Sequence, residues 1–334
     1  MWAWGNSSSK LGIEHVSDDV TTPRRISGED KWTAVSAGTH HSNAIREDGT
    51  LWEWGQFTVE HPGTAIYNVN YYTPTQVPQP YIRWRSIVAT GIFNSFFISE
   101  SGELYGSGRN SMGEVLGDGR YRPPPHYIRV PLRVEGTVNV ESVHPYHGST
   151  AALRSDGRIY TWGTNNWGQL GSNAWFTAPY LIPLGGPPAA ASVAMGDDFM
   201  LATGRDDGSL WSWGRNQYGQ LGYETVGSSE PTPTRIGTET DWKTVYASEF
   251  TSFALKTDGT LWTWGRDLLN ENVVNPFPTR LGSGNDWESM SVMGTHVLAM
   301  KKDGTLWAYG NNNHGQLGDG TKVNRSDFVP VVFP

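Results

Sequence analysis

The sequence predicts an all-β fold, a seven-bladed β-propeller of four-stranded antiparallel blades in which the first blade is incomplete. Three observations predict it: a phrase ending in Trp-Gly or a variant, recurring about every fifty residues; an Asp-Gly turn before most copies; and the lack of a long helical apolar period. The phrase ends at seven glycines: Gly5, Gly55, Gly108, Gly163, Gly214, Gly265 and Gly310. We therefore expect residues 1–334 to form a single domain of seven repeats.

Each full repeat carries signals for four strands. An Asp-Gly pair such as Asp258-Gly259 predicts a tight hairpin turn, because type I′ turns need positive φ at both central residues. The alternating runs on its two sides, 252–256 and 261–264, predict the second and third strands. An apolar run upstream predicts the first strand, and a proline-bounded segment such as 233–236 predicts a fourth, outer strand, where proline is tolerated.

The opening repeat has signals for only its third and fourth strands, near 2–6 and 23–27. The other six repeats have all four, with first strands expected near residues 33, 86, 139, 190, 244 and 288. Three explanations stay open: the chain is part of a longer protein, a neighbouring subunit completes the blade, or the ring closes over a half-blade. An unpaired strand edge is a template for pairing, so self-association through the incomplete first blade is one expectation.

One repeat pattern resembles a known family. Residues Leu210 to Gly222 read Leu-Trp-x-Trp-Gly-x-Asn-x-x-Gly-Gln-Leu-Gly, and Leu306 to Gly318 repeat this with Tyr309 in place of the second Trp. The pattern resembles the repeat of the regulator of chromosome condensation family, and the resemblance covers nearly the whole chain. It implies a seven-bladed propeller. Because family members include DNA-contacting proteins and a nucleotide-exchange factor for a small GTPase, it implies no single partner.

The composition of the chain and the motifs that it lacks exclude several classes of function. A net charge of −8 argues against a general phosphate-binding surface, so no nucleic acid is expected as a partner. No apolar run is long enough for a membrane-spanning helix, and no cysteine is present for thiol chemistry. Motifs of hydrolases, metalloproteases, phosphate loops and calcium loops are also missing, so we expect no enzyme, catalytic residue, cofactor or metal site. The sequence assigns no compartment, leaving cytoplasmic and particle- or surface-associated locations open.

The loops that follow the first strands are the best candidates for function. In a propeller these loops form a ring on one face, and here they vary between repeats and are rich in aromatic, histidine and acidic residues. We predict that this ring binds a macromolecular partner, most simply a protein. The predicted contact residues are His40, His41, Phe93, Asn94, Tyr146, His147, Asp197, Asp198, Phe199, Glu249, Phe250 and His296.

Several alternatives remain beside this interpretation. His41 and His296 also fit a structural role within their blades, and the phenylalanines also fit inward packing. A structural, decoration or adhesin component of a virus particle or cell surface, with glycan as its ligand, is the alternative function. Nucleotide exchange on a small GTPase is a further candidate, although the sequence lacks a clear wedge-like inserted hairpin and basic tails.

Overall fold

The computed structural model describes residues 1–6, 10–13, 18–26, 31–59, 67–78, 81–90, 94–110, 113–117, 127–173, 177–184, 187, 189–224 and 226–334. These residues form 26 β-strands and no helix. The strands make six four-stranded sheets and one two-stranded sheet, all antiparallel.

The two-stranded sheet, here called the half-blade, consists of β1 (Trp2–Gly5) and β2 (Val20–Arg25). The six full blades follow in chain order, each with its strands in sequence across the sheet. Blade 1 is β3 (Trp32–Ala37), β4 (His41–Arg46), β5 (Leu51–Val59) and β6 (Tyr67–Gln76); blade 2 is β7 (Trp84–Thr90), β8 (Asn94–Ser99), β9 (Leu104–Arg109) and β10 (Tyr127–Arg133); blade 3 is β11 (Val140–Tyr146), β12 (Ser149–Arg154), β13 (Ile159–Thr164) and β14 (Thr177–Pro183). Blade 4 is β15 (Ala190–Met195), β16 (Phe199–Gly204), β17 (Leu210–Arg215) and β18 (Ser229–Ile236); blade 5 is β19 (Trp242–Ser248), β20 (Thr251–Lys256), β21 (Leu261–Arg266) and β22 (Val274–Arg280); blade 6 is β23 (Trp287–Met293), β24 (His296–Lys301), β25 (Leu306–Gly310) and β26 (Arg325–Pro330).

The described part of the chain therefore has six blades, and the predicted count of seven is not confirmed. The half-blade strands match the expected third and fourth strands of the opening repeat. The predicted first strands near residues 33, 86, 139, 190, 244 and 288 correspond to β3, β7, β11, β15, β19 and β23.

Buried tryptophans join each blade to the one before it. The second tryptophan of the Trp-x-Trp strand is almost completely buried in blades 1, 3, 4 and 5. Its indole N–H donates to a backbone carbonyl of the preceding repeat, as Trp264 Nε1 does to Gln220 O at 2.9 Å. The same bond links the half-blade to both neighbours, from Trp4 to Gln316 O at 2.9 Å and from Trp54 to Lys10 O at 2.8 Å. The half-blade therefore occupies a place in the ring between blade 6 and blade 1.

The first strand is the innermost strand of each blade. First strands of neighbouring blades pack against one another, as β15 does on β19 and β3 does on β7. Because the strands alternate in direction, the first-to-second and third-to-fourth connections lie at the same end of every blade. We call this end of the ring the loop face. The Asp-Gly hairpins lie at the opposite end, where Asp258 Oδ1 accepts hydrogen bonds from the backbone and hydroxyl of Thr260.

Candidate functional site

Predicted residues from blades 3, 4 and 5 meet on the loop face. Nδ1 of His147 lies 2.7 Å from Oδ1 of Asp197. The backbone N–H of Asp197 donates to the carbonyl of Glu249 at 2.7 Å, and the N–H of Glu249 donates to the hydroxyl of Tyr146 at 3.1 Å. Residues about fifty and one hundred positions apart in the chain thus form one bonded group around the inner end of three consecutive blades.

The backbone of this group is strained. His147, Asp198 and Glu249 have φ values of 44°, 62° and 41°, in the left-handed region that non-glycine residues rarely adopt. Among the described residues, the other non-glycine residue with positive φ is Asn139. Each such residue costs about 1 to 3 kcal/mol and persists only where the surroundings hold it, a situation that is common at binding sites. The three loops are therefore held in fixed shapes.

Arginine and aromatic side chains alternate beside these loops. The guanidinium carbon of Arg215 lies 5.0 Å from the ring centroid of Trp167 and 4.7 Å from that of Phe250. On the other side, the guanidinium carbon of Arg266 lies 4.7 Å from Phe250 and 5.4 Å from Tyr218. Phe250 therefore lies between two cations, in contacts that stabilise both the ring and the charges.

Acidic side chains hold the two arginines in place. Arg215 Nη1 lies 3.2 Å from Asp197 and 3.8 Å from Asp198, while Arg266 Nη2 lies 2.8 Å from Glu249. Both guanidinium groups are largely buried, so these pairs are less screened than pairs on an open surface. We call the whole group the ladder surface; it comprises Tyr146, His147, Trp167, Asp197, Asp198, Arg215, Tyr218, Glu249, Phe250 and Arg266.

The local environment raises the pKa values of two side chains on the ladder surface. Burial, together with the negative charge of Asp197, raises the pKa of Asp198 to about 6. The hydrogen bond that His147 donates to the Asp197 carboxylate raises the pKa of His147. The amide of Gln169 donates to Asp198 Oδ1 at 2.6 Å, so this carboxyl is fixed from a second side.

Other predicted residues lie elsewhere or are inaccessible. Phe199 is completely buried in a core cluster with Trp242 and Trp264, so it is removed from the predicted contact surface. The reason is local: Phe199 begins β16 and pairs with Gly214, whereas Phe250 precedes its strand β20 and stays partly exposed. Phe93 lies outside the described residues.

The histidine and asparagine predictions fall mainly in blades 1, 2 and 6. His41 is buried, with Nε2 2.7 Å from Ser95 Oγ, and burial lowers its pKa to about 4. Burial likewise lowers the pKa of His296 to about 4. Asn94 accepts the backbone N–H of Arg109 at 2.9 Å, and His40 is partly exposed. His41 is therefore a structural residue between blades 1 and 2, which corrects its predicted contact role.

Four members of the ladder surface were not predicted: Trp167, Arg215, Tyr218 and Arg266. A signal for them exists in the repeat. Arg215 and Arg266 directly follow the Trp-Gly of their repeats, and Trp167 and Tyr218 directly precede the next glycine of the loop. Reading these variable positions together with the first-to-second loops would have identified the surface.

A second polar group lies between blades 1 and 2. Glu53 is buried and forms a two-point hydrogen-bonded pair with Arg129, whose guanidinium carbon lies 5.0 Å from the ring centroid of Phe57. The nearby pair of His41 and Ser95 is buried too, so it offers no accessible nucleophile. We interpret this group as a cross-link between two blades.

The described residues contain no group of three or more His, Cys, Asp or Glu side chains arranged to hold a metal ion. The same part of the chain contains no helix long and apolar enough to cross a membrane.

Comparison with known proteins identifies the repeat. The model of the regulator of chromosome condensation (RCC1) repeat matches residues 1–45, 156–203, 207–255 and 303–334, just over half of the chain. A second RCC1 repeat model matches residues 190–220. The matched segments include both ends of the sequence and much of blades 3 to 6.

Individual proteins are similar to the chain in sequence or in fold. RUG3, a mitochondrial RCC1 domain-containing protein of Arabidopsis thaliana, is 31% identical over 274 residues, which is 79% of this chain and 61% of RUG3. The ultraviolet-B receptor UVR8 of the same plant is 29% identical over 66% of this chain and 50% of UVR8. The chain thus spans less than two thirds of the length of either relative. Among solved structures, Prp20p of Saccharomyces cerevisiae aligns with a TM-score of 0.83 at 22% identity, over 99% of this chain and 85% of Prp20p, which shows the fold.

Proposed function

Because the chain belongs to the family of RCC1 repeat proteins, we propose that it is a non-enzymatic scaffold that binds a protein partner through the ladder surface. The single observation that carries the proposal is the alternation of Trp167, Arg215, Phe250, Arg266 and Tyr218 on the loop face. Tryptophan, tyrosine and arginine are the residues that most often dominate the energy of protein interfaces.

The strained backbone of the three loops and the ion pairs of the two arginines support binding by a preformed surface. Side chains that are already fixed lose little conformational entropy when a partner binds. Phe250 is held by two guanidinium groups, and those groups are held by Asp197 and Glu249. A partner therefore meets a rigid aromatic and polar face.

The charge balance of the same face favours a protein over a nucleic acid. Arg215 and Arg266 are both paired with carboxylates of the chain itself, which reduces the positive potential that phosphate backbones require. Prp20p, which shares the fold, binds Gsp1p and histones, and yeast RCC1 has been crystallised with Kap60. For this chain we propose the class of partner, a protein, and no individual partner.

Capture of partner from a native lysate tests the proposal. Phe250→Ala removes the central ring of the ladder, and Phe277→Ala removes a half-exposed ring from the outer strand β22 of the same blade. We expect the unmodified chain and Phe277→Ala to capture the same protein, and Phe250→Ala to lose it. Equal capture by all three folded proteins would reject the ladder surface as the binding site.

Nucleotide exchange on a small GTPase is a second candidate. It is favoured by the acidic side chains of Asp197, Asp198 and Glu249 on the loop face, although all three lie within 4 Å of an arginine of the chain. Release of a fluorescent guanine nucleotide from purified GTPases, with and without the chain, measures this activity directly. Neither the described residues nor the comparisons support a virus particle, an adhesin, a glycan ligand or self-association.

A further inference from the structure

The third and fourth strands of blade 1 continue beyond the body of the blade on the loop face. In the other full blades the third strand ends at the Trp-Gly glycine or one residue after it, whereas β5 continues four residues past Gly55 to Val59. The fourth strand β6 is lengthened to match, and the added pairing ends at Val59 opposite Tyr67. We call the paired residues 56–59 and 67–70 the blade 1 extension.

Blade 2 holds the blade 1 extension in place. The guanidinium carbon of Arg129, on β10, lies 5.0 Å from the ring centroid of Phe57 and 5.8 Å from that of Tyr71. The two rings are themselves 5.8 Å apart, and the ring of His41 lies 5.2 Å from Phe57. Phe57 pairs with Val69 across the strands, so Phe57, Val69 and Tyr71 share one apolar face. The backbone fixed by these contacts loses little conformational entropy when a partner binds.

The outer edge of β6 presents backbone groups to which another strand can bond. In an antiparallel ladder, opposite residues alternate between pairs that exchange hydrogen bonds and pairs whose backbone groups point away from each other. The N–H of Gln56 donates to the carbonyl of His40 at 2.8 Å, on the side away from β6. Its opposite residue, Asn70, therefore directs its N–H and C=O to the outer side of β6, as does Asn68. Among the described strands, β6 pairs with β5 alone.

This edge lacks the features that protect the outer strands of the other blades. With ten residues β6 is longer than any other described fourth strand, and residues 67–73 contain no proline and no charge. Each of the other fourth strands has a proline or a charged residue within its first four positions. Proline and charge are the usual means by which proteins prevent pairing at an exposed edge, so the beginning of β6 is open to strand addition.

We propose that the outer edge of β6 binds an extended, uncharged segment of a partner protein, which adds an antiparallel fifth strand to blade 1. The two faces of the blade 1 extension define the chemistry of this segment. Residues opposite Asn68 and Asn70 lie beside exposed amides and are small and polar, whereas the residues between them are aliphatic and continue the face of Val69 and Tyr71. Strand addition of this kind takes its affinity from backbone hydrogen bonds and its specificity from the alternate side chains.

The probe is a short, end-blocked, fluorescently labelled peptide that alternates threonine and valine and carries N-methyl groups on its valines. In the proposed register each threonine lies opposite Asn68 or Asn70 and directs its N–H to β6, while each valine N–H points away. The N-methyl groups therefore leave the binding edge intact and stop the peptide from pairing with itself. The matched control peptide has the same sequence with its threonines N-methylated. Fluorescence anisotropy with the full chain should show saturable binding of the probe and none of the control.

Two substitutions at one position test the edge from the side of the protein. Asn70→Pro removes an outward N–H while leaving the hydrogen bonds between β5 and β6, and proline is tolerated on edge strands. Asn70→Ala also removes the amide side chain but keeps the backbone N–H. We expect Asn70→Pro to weaken probe binding by about tenfold or more, and Asn70→Ala to bind the probe much as the unmodified chain does. Thermal unfolding of both variants checks that they are folded.

Hydrogen exchange of the unmodified chain, resolved by NMR, is independent of any variant. The probe should slow exchange at the amides of Asn68 and Asn70, and the control peptide should not. The proposal is overturned if the probe does not bind, if both peptides bind equally, if folded Asn70→Pro binds as well as Asn70→Ala, or if exchange at these two amides is unchanged. A dimer in light scattering that the probe cannot displace would also overturn it, since a second copy would then cover the edge. Phe250→Ala should leave probe binding unchanged because the ladder surface lies on blades 3 to 5, so failure here is distinct from failure of the proposed function.

Discussion

The hydroxyl of Tyr146 in blade 3 accepts a hydrogen bond from the backbone N–H of Glu249 in blade 5, at 3.1 Å. The bond passes over blade 4, whose Asp197 N–H donates to the carbonyl of the same Glu249. Both backbone polar groups of one strained residue are thus satisfied by two other blades. This arrangement holds Glu249 in its left-handed conformation and directs its carboxylate to Arg266.

Removing that hydroxyl tests whether it fixes the ladder surface. Tyr146→Phe leaves the N–H of Glu249 without its partner, which is expected to cost about 1 to 3 kcal/mol in the free energy of unfolding. We also expect weaker partner capture, because the loop that positions Glu249 and Phe250 loses a contact. Urea unfolding measures the first effect, with Tyr72→Phe, at an exposed tyrosine of β6, as the control. A stability equal to that of the control would show that the bond contributes nothing.

Phe199 and Phe250 were both predicted to contact a partner, but their replacement by alanine should have different effects. Phe199→Ala empties a fully buried site beside Trp242 and Trp264, and is expected to cost about 3 to 5 kcal/mol. Phe250→Ala removes a partly exposed ring and should cost less, while abolishing partner capture. Thermal unfolding of both variants gives the comparison. If Phe250→Ala is as unstable as Phe199→Ala, the Phe250 ring is a core element.

That contrast shows what sequence patterns can and cannot predict here. The strands follow from local signals, since Asp-Gly turns and alternating runs act within about ten residues. Phe199 and Phe250 occupy similar places in their repeats, but one begins its strand and the other precedes it, and a difference of one residue reverses the direction of a strand side chain. Arg215 and Phe250 come from different blades, so their contact depends on the ring geometry and no local pattern reports it.

The raised pKa of Asp198 predicts how stability depends on pH. Because its folded-state pKa of about 6 lies above the ordinary value for Asp, the folded chain binds this proton more tightly than the unfolded chain. Stability should therefore fall as pH rises from about 4 to about 6, and remain lower above that range. The raised pKa of His147 acts in the same direction at higher pH, because stability from its protonated form is lost as pH rises through the folded-state pKa.

Asp198→Asn removes this titration while keeping an oxygen that accepts from Gln169. We expect the variant to be more stable than the unmodified chain by about 1 to 3 kcal/mol near pH 8, with the gain shrinking towards pH 4. Urea unfolding across this pH range measures it, with Asp206→Asn, at an exposed carboxyl of the same blade, as the control. A stability gain that does not change with pH would show that the carboxyl of Asp198 does not titrate with a raised pKa.

Lys256 forms a cationic contact inside blade 5. Its Nζ lies 4.5 Å and 4.6 Å from the ring centroids of Trp242 and Trp262, and 3.0 Å from a carboxylate oxygen of Glu239. Lys256→Met keeps the length of the side chain but removes the charge, and should lower the free energy of unfolding by about 1 to 3 kcal/mol. Lys302→Met, at an exposed lysine, is expected to have almost no effect in the same denaturation measurement. Equal stability of the two variants would mean that only the aliphatic part of Lys256 matters.

Glycines of the Trp-Gly phrase provide a test that distinguishes the half-blade from the full blades. Gly5→Ala and Gly265→Ala both place a side chain at positive φ, which costs about 1 to 3 kcal/mol. In blade 5 the new Cβ also lies 2.4 Å from the carbonyl oxygen of Phe250, whereas at Gly5 nothing lies closer than 3.6 Å. Gly265→Ala should therefore be less stable than Gly5→Ala by at least about 2 kcal/mol. Thermal or urea unfolding measures the difference, and equal instability of the two variants would contradict the open space beside Gly5.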